Sequence, residues 1–152
     1  MRGKALSVLP VLVASSVLAC GLAAADSKYR VSEVKKDEYR VGVKYQRDVQ
    51  AGHMKTARIY VVAGAGWKIN PKFPWKIELS TPDGVTASRT VFKKTDAAVM
   101  NDRKAVFKVG YKATSAGDHQ LKAKVKLSVC KGTTQCLFPT ENLKWTVSAA
   151  GE

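Results

Sequence analysis

Between positions 39 and 147 apolar and polar residues alternate with a period of two, and a helical period is hard to find. Tyr39, Val41, Val43 and Tyr45 stand against Arg40, Gly42 and Lys44. The run 56–62 is rich in β-branched residues and follows the turn signal Ala51-Gly52-His53. Alternation returns at 75–79 and stops at Thr81-Pro82-Asp83-Gly84, a strong turn sequence. Ala105, Phe107, Val109 and Tyr111 then oppose Lys104, Lys108 and Lys112.

The clearest run is 121–129, with Leu121, Ala123, Val125, Leu127 and Val129 on one side and Lys122, Lys124, Lys126 and Ser128 on the other. Leu143, Trp145 and Val147 repeat the pattern. Such alternation is that of half-buried antiparallel strands, apolar inward and polar outward. About seven runs spaced by turn signals predict an all-β fold, an immunoglobulin-like antiparallel β-sandwich. Residues 95–99 are expected to form one short helical turn with Asp96 near its start. Trp67, Trp75 and Trp145 are expected to anchor the core or its edges.

The first residues read differently. Met1-Arg2-Gly3-Lys4 is basic, 5–19 is uncharged and almost wholly apolar, Ala23-Ala24-Ala25 is small, and the first acid is Asp26. This predicts a secretory signal peptide over 1–25 and a single domain over 26–152. The apolar run contains Pro10 and is shorter than the roughly 20 apolar residues that cross a bilayer. No later run approaches that length, so no transmembrane helix is expected in the mature chain. A second cleavage is open: Val17-Leu18-Ala19-Cys20-Gly21 resembles a lipobox, which would remove 1–19 and leave Cys20 acylated. Leu18 departs from the small residue usual there, and a lone cysteine within an ordinary signal is the competing reading. Either route leaves two thiols, an even number suited to an oxidising compartment.

The formal charge is +14, with 26 basic and 12 acidic residues. Loss of Arg2 and Lys4 with the signal leaves about +12, a field that favours an anionic envelope surface or an acidic partner. Export argues against nucleic acid as a partner, and no nucleic-acid motif is present. The chain shows neither a nucleophile elbow nor a catalytic triad, so no hydrolytic or cofactor-dependent catalysis is expected. His53 and His119 read as ordinary surface histidines. A copper site from Cys, His53, Met54 and Met100 lacks the histidine or methionine that cupredoxin-type sites place after the cysteine.

Cys130 and Cys136 carry the candidate chemistry. Cys130 has the outward parity of Lys126 and Ser128, five residues precede Cys136, and Gly132 permits a tight connection. The pair is therefore expected at one end of the sandwich, across a hairpin-like loop. A disulfide closing so short a loop stabilises by only about 2.5 kcal/mol in the chain-entropy model, less than a bridge between distant strands. A permanent staple and an accessible redox pair both remain open, with Lys131 and Lys144 as candidates to favour a thiolate. Two cysteines without correctly spaced histidines give too few zinc ligands.

Val129-Cys130, five residues, then Cys136-Leu137-Phe138-Pro139 resembles the C-x5-C-(Y/F)-P region of the N-terminal periplasmic domain of the DsbD thiol:disulfide interchange family. Upstream, Gly66-Trp67-Lys68-Ile69-Asn70-Pro71-Lys72-Phe73-Pro74 resembles that family's G-(W/Y)-H-I-N-x-x-(Y/F)-P stretch. The resemblance implies an immunoglobulin-like sandwich in which Cys130 and Cys136 pass electrons from a transmembrane partner to periplasmic, thioredoxin-like proteins. It implies a periplasmic location, free or lipid-anchored, and a carrier rather than a free-standing enzyme. Lys68 stands where the family often has histidine, Leu137 intervenes before Phe138, and Val91-Phe92 is the candidate for the family's capping loop. The rival expectation is a non-catalytic envelope module with a permanent disulfide, its lysine-rich strand faces meeting an acidic partner.

Overall fold

The computed structural model describes residues 28–152, and the expected signal peptide over 1–25 and the candidate lipidation site at Cys20 lie outside them. Strands account for nearly all the regular structure. One six-stranded sheet runs β1 (Tyr29–Lys35), β2 (Tyr39–Gln46), β4 (Met54–Ala63), β10 (Lys104–Ala113) and β7 (Val85–Ala87), with β9 (Val99–Met100) also on β10. A five-stranded sheet runs β3 (Asp48–Gln50), β14 (Thr140–Ala150), β11 (Gly117–Lys126), β6 (Lys76–Ser80) and β8 (Val91–Lys93). All pairs are antiparallel except β3 with β14, which run parallel.

The two sheets bury the residues that the alternation assigns inward. Val41, Val43, Ile59, Val61, Phe107 and Val109 come from the first sheet, and Ile77, Leu121, Val125, Leu143 and Val147 from the second. Trp67, Trp75 and Trp145 are all buried, and the Trp75 ring stacks on Phe107 at 6.5 Å between centroids. This is an immunoglobulin-like antiparallel β-sandwich. Among the described residues no helix is long and apolar enough to cross a membrane.

The expected helical turn is a single 3-10 turn, Lys94–Asp96, one residue earlier than its sequence reading. The Asp96 carboxylate accepts from the Lys93 backbone N–H and from Arg89. Val91 and Phe92 form β8 on the edge of the second sheet, and Phe92 is buried in the core. Phe92 points between the sheets and Val91 is exposed. His119 is also not a surface histidine: it is 8% exposed, with Nε2 2.8 Å from the Ser115 carbonyl oxygen.

At one edge the sheets are tied by polar side chains. Tyr39 on β2 donates to the Glu141 carboxylate on β14, which also pairs with Lys36 at 2.6 Å. Burial alone would raise the Glu141 pKa, but the Lys36 and Tyr39 hydrogen bonds outweigh it and hold the carboxyl below the usual value. A depressed folded pKa adds stability that is full above the unfolded value near 4.5 and is lost as pH falls through the folded value. Glu141→Gln should therefore lower the urea midpoint at neutral pH, and the gap from the parent should close toward about pH 3. A gap that stays constant from neutral to acid pH would remove this tie from the account.

Candidate functional site

A third, three-stranded sheet closes one end of the sandwich, in the order β13 (Gln135–Leu137), β12 (Val129–Lys131), β5 (Lys68–Ile69). The run read from sequence as one strand over 121–129 is in fact two. β11 ends at Lys126, and Leu127, Ser128 and Val129 are then buried one after another. A strand turns successive side chains to opposite faces. Here the succession falls where the chain leaves one sheet for another, and β12 departs to make the third sheet.

The register of that sheet sets out two rows. Ile69, Val129 and Leu137 are paired across the strands and lie against the core. Lys68, Cys130 and Cys136 form the next row, facing outward. The cysteines are direct cross-strand neighbours, with Cα atoms 4.1 Å apart, and their sulfurs are bonded. Both cysteines are half-buried. The β12–β13 connection is the expected hairpin, with Gly132 at φ 65°, a left-handed conformation that a side chain disfavours. Cys136 lies on the edge strand, whereas Cys130 lies on the central strand beside Lys68.

β5 has two residues and is held from both sides. Ile69 donates its N–H to the Asp102 carbonyl at 2.9 Å, and Asn70 donates its N–H to the Ser128 carbonyl at 3.0 Å. The Asn70 side chain works in two directions: Nδ2 reaches Ser128 Oγ at 3.2 Å, and Oδ1 accepts from the Lys72 N–H at 3.1 Å. The Asn70 carbonyl accepts from Trp75 Nε1 at 2.8 Å. Arg103 covers the approach to β5, donating to the carbonyls of Trp67 at 3.2 Å and Ala63 at 3.3 Å. The rings of Phe73 and Phe138 meet at 5.3 Å, and Phe138 is 62% exposed.

Of the sequence-predicted residues, Cys130 and Cys136 are therefore brought together. The two lysines named beside them fare differently. Lys131 follows Cys130 but belongs to the next row, its chain passing Gly66. Lys144 pairs with Lys122 in the five-stranded sheet. The cation in the row of the disulfide is Lys68, whose Nζ also lies 3.5 Å from Asp102 Oδ2. Only the pairing of β5 with β12 reveals this. Ser128, Asp102 and Arg103 were also unmarked in the sequence, Ser128 because the apolar–polar alternation runs unbroken through 127–129 and assigns it outward.

The copper constellation does not assemble. Met54 opens β4 opposite Lys112, whereas Met100 pairs with Ala105, which faces Val61 near the other end of β4. His53 is exposed in the turn before β4. Among the described residues no group of three or more His, Cys, Asp or Glu side chains is arranged to hold a metal ion.

No protein-family model and no curated protein matches the chain. Among solved structures it is similar to the N-terminal periplasmic domain of ScsB from Proteus mirabilis, with a TM-score of 0.44 and 17% identity over 74% of this chain and 49% of that one. It is also similar to a cohesin module of a Clostridium perfringens family 33 glycoside hydrolase, with a TM-score of 0.43 and 10% identity over 82% of this chain and 98% of that one. The chain spans about half the length of the ScsB structure it matches.

The linkage through Asn70 predicts a measurable cost. Asn70→Ala would leave the fully buried Ser128 hydroxyl without its partner and free one side of β5, a loss of about 1–2 kcal/mol. Urea unfolding of the variant measures it, and a change within about 0.5 kcal/mol would show that β5 is held without this side chain.

Proposed function

We infer that the chain is a thiol–disulfide exchange domain of the cell envelope, carrying an electron pair between partner proteins through Cys130 and Cys136. The observation that carries this reading is the meeting of two stretches far apart in sequence. Gly66–Pro74 and Val129–Pro139, the two that resemble the DsbD family, pair as β5 and β12, join through Asn70 and Ser128, and touch through Phe73 and Phe138. What they surround is a half-exposed disulfide with a lysine in its row. A transmembrane redox protein would supply the electrons, and periplasmic thioredoxin-like proteins would receive them.

The exchange balances as two substitutions at sulfur. A partner thiolate attacks Cys136 Sγ, on the edge strand, and the Cys130 sulfur leaves as a thiolate next to the Lys68 ammonium. A mixed disulfide now joins Cys136 to the partner. The partner's second thiolate then attacks its own sulfur in that bond and releases Cys136 as a thiolate. The partner ends as a disulfide and Cys130 and Cys136 as a dithiol, two electrons having moved and two protons having come from water. In the delivering direction the Cys136 thiolate attacks a target disulfide, and Cys130 resolves the mixed bond. Lys68 serves both directions, because Cys130 is the leaving sulfur in the first and the resolving one in the second.

A redox titration tests the central claim. The Cys130–Cys136 couple should have a potential above about −300 mV, in the range of exchange proteins. In cell extracts Cys130→Ser should trap mixed disulfides through Cys136, and Cys136→Ser should trap fewer. A potential below that bound, with no adduct from either variant, would make the disulfide a permanent clamp and the chain an envelope binding module.

The charge on Lys68 gives a second test. Reversing it with Lys68→Glu moves two unit charges at a cross-strand spacing of about 5 Å in a solvated setting, close to a tenfold change in thiolate population. A less stable Cys130 thiolate is a poorer leaving group. Reduction of the oxidised domain by a small thiol, in which Cys130 leaves, should slow by up to about tenfold at low ionic strength, and less as salt is added. An unchanged rate would leave Lys68 as a strand residue with no part in the exchange.

A further inference from the structure

We propose that the outer face of the five-stranded sheet is a docking surface for an anionic lipid bilayer. The inference is independent of the redox reading. Register places lysines side by side across four strands: Lys144 opposite Lys122, Lys126 opposite Lys76, and Lys76 opposite Lys93, with Lys124 between the rows. Like charges directly opposite in a sheet destabilise it. The acids on this face are few. Glu78 is engaged by Lys76, which lowers its pKa, with Lys124 and Lys126 adding to the effect. Asp118 lies at the far end of β11, held by the Ser148 hydroxyl at 2.6 Å, and the exposed Asp48 on β3 lies opposite Ser148 at that same end. No acidic side chain lies within ion-pair distance of Lys93, Lys122, Lys124, Lys126 or Lys144 among the described residues.

The chemistry of the face selects its occupant. Specific protein interfaces centre on buried aromatic or arginine anchors. Here the outward residues between the lysines are Glu78, Ser80, Val91, Asn142 and Thr140, with no arginine or aromatic ring among them. A pleated face of mobile ammonium groups matches a plane of phosphate headgroups, where each lysine adds about fivefold to partition. A shallow depression of about 400 Å³ is lined by Lys122, Lys124 and Lys144 together with Ser80, Asn142 and Glu78, whose carboxylate is paired with Lys76, and is large enough to take a headgroup.

The opposite face is also basic but differs in kind. Its row Lys44, Arg58 and Lys108 is bounded by Tyr60, Val62 and Val106. Lys44 sits over the Tyr29 ring, and Arg40 and Lys35 share Glu33. Its cations are therefore partly engaged within the fold.

Two triple variants of equal charge separate the faces. The purified protein should sediment with vesicles of about 30% phosphatidylglycerol in phosphatidylcholine, fail to do so with phosphatidylcholine alone, and be released at high salt. Lys122→Gln, Lys124→Gln and Lys126→Gln together should lower partition about one hundredfold. Lys44→Gln, Arg58→Gln and Lys108→Gln together should lower it less than about threefold. All six positions are exposed, and thermal melts establish that both variants are folded. Equal losses in the two variants would reduce the effect to net charge and overturn the assignment. Absence of vesicle binding, with retention on immobilised polyglutamate that only the first variant loses, would overturn it in favour of an acidic protein.

Discussion

Leu127, Ser128 and Val129 are buried in succession, and the placement of everything chemical in this molecule depends on how that is achieved. A single strand would expose the middle residue or bury a hydroxyl unpaired, at a cost of about 1–3 kcal/mol. The chain bends out of the five-stranded sheet instead. Ser128 turns its hydroxyl to Asn70 Nδ2 and its carbonyl to the Asn70 N–H. The Leu127 N–H reaches the Pro139 carbonyl at 3.1 Å, so the segment after the hairpin returns to the same bend. One polar contact in an apolar setting thus fixes the direction of β12, and β12 fixes both its neighbours.

That bend also relates the two functional surfaces. Lys126, the last residue of β11, belongs to the outer lysine face, and Cys130 follows within one short strand. The disulfide therefore lies at the end of the lysine-rich sheet rather than on either broad face. With the sheet laid on a bilayer, the row of Lys68, Cys130 and Cys136 would sit at its margin, where a membrane-embedded partner could reach the sulfurs from the side. Charge and chemistry share a scaffold but use different residues of it.

The sequence made the long strands legible because their burial obeys a strict period of two. β4, β10 and β14 alternate over ten or eleven residues, and each inward residue found in the alternation is buried. β1 gave no such signal, since Tyr29, Arg30 and Val31 are all exposed at the sheet edge. The two- and three-residue strands β3, β5, β7 and β9 are too short to carry a period and exist through tertiary pairing alone. The same limit hid the neighbour of Cys130. Sequence proximity favoured Lys131, but adjacency in a sheet runs across strands, and β5 delivers Lys68 from sixty-two residues away. His119 was misjudged for a related reason: its turn-adjacent position suggested solvent, whereas its odd parity on β11 places it inward opposite Val147.

The shortness of the disulfide loop, which makes it a weak staple, is what suits it to change state. The two cysteines face each other through backbone pairing that does not need the S–S bond: Val129 pairs with Leu137 and Lys131 with Gln135 on either side of them. The apolar row behind, Ile69, Val129 and Leu137, holds the same strands against the core. Reduction removes a constraint of only about 2.5 kcal/mol from the unfolded chain and leaves those ladders and contacts in place. Two thiols kept opposite each other by the fold react as an intramolecular pair, at an effective concentration far above that of any free thiol. A bridge between distant strands would couple its redox state to global stability. Here the register carries the geometry, which would leave the sulfurs free for the proposed exchange.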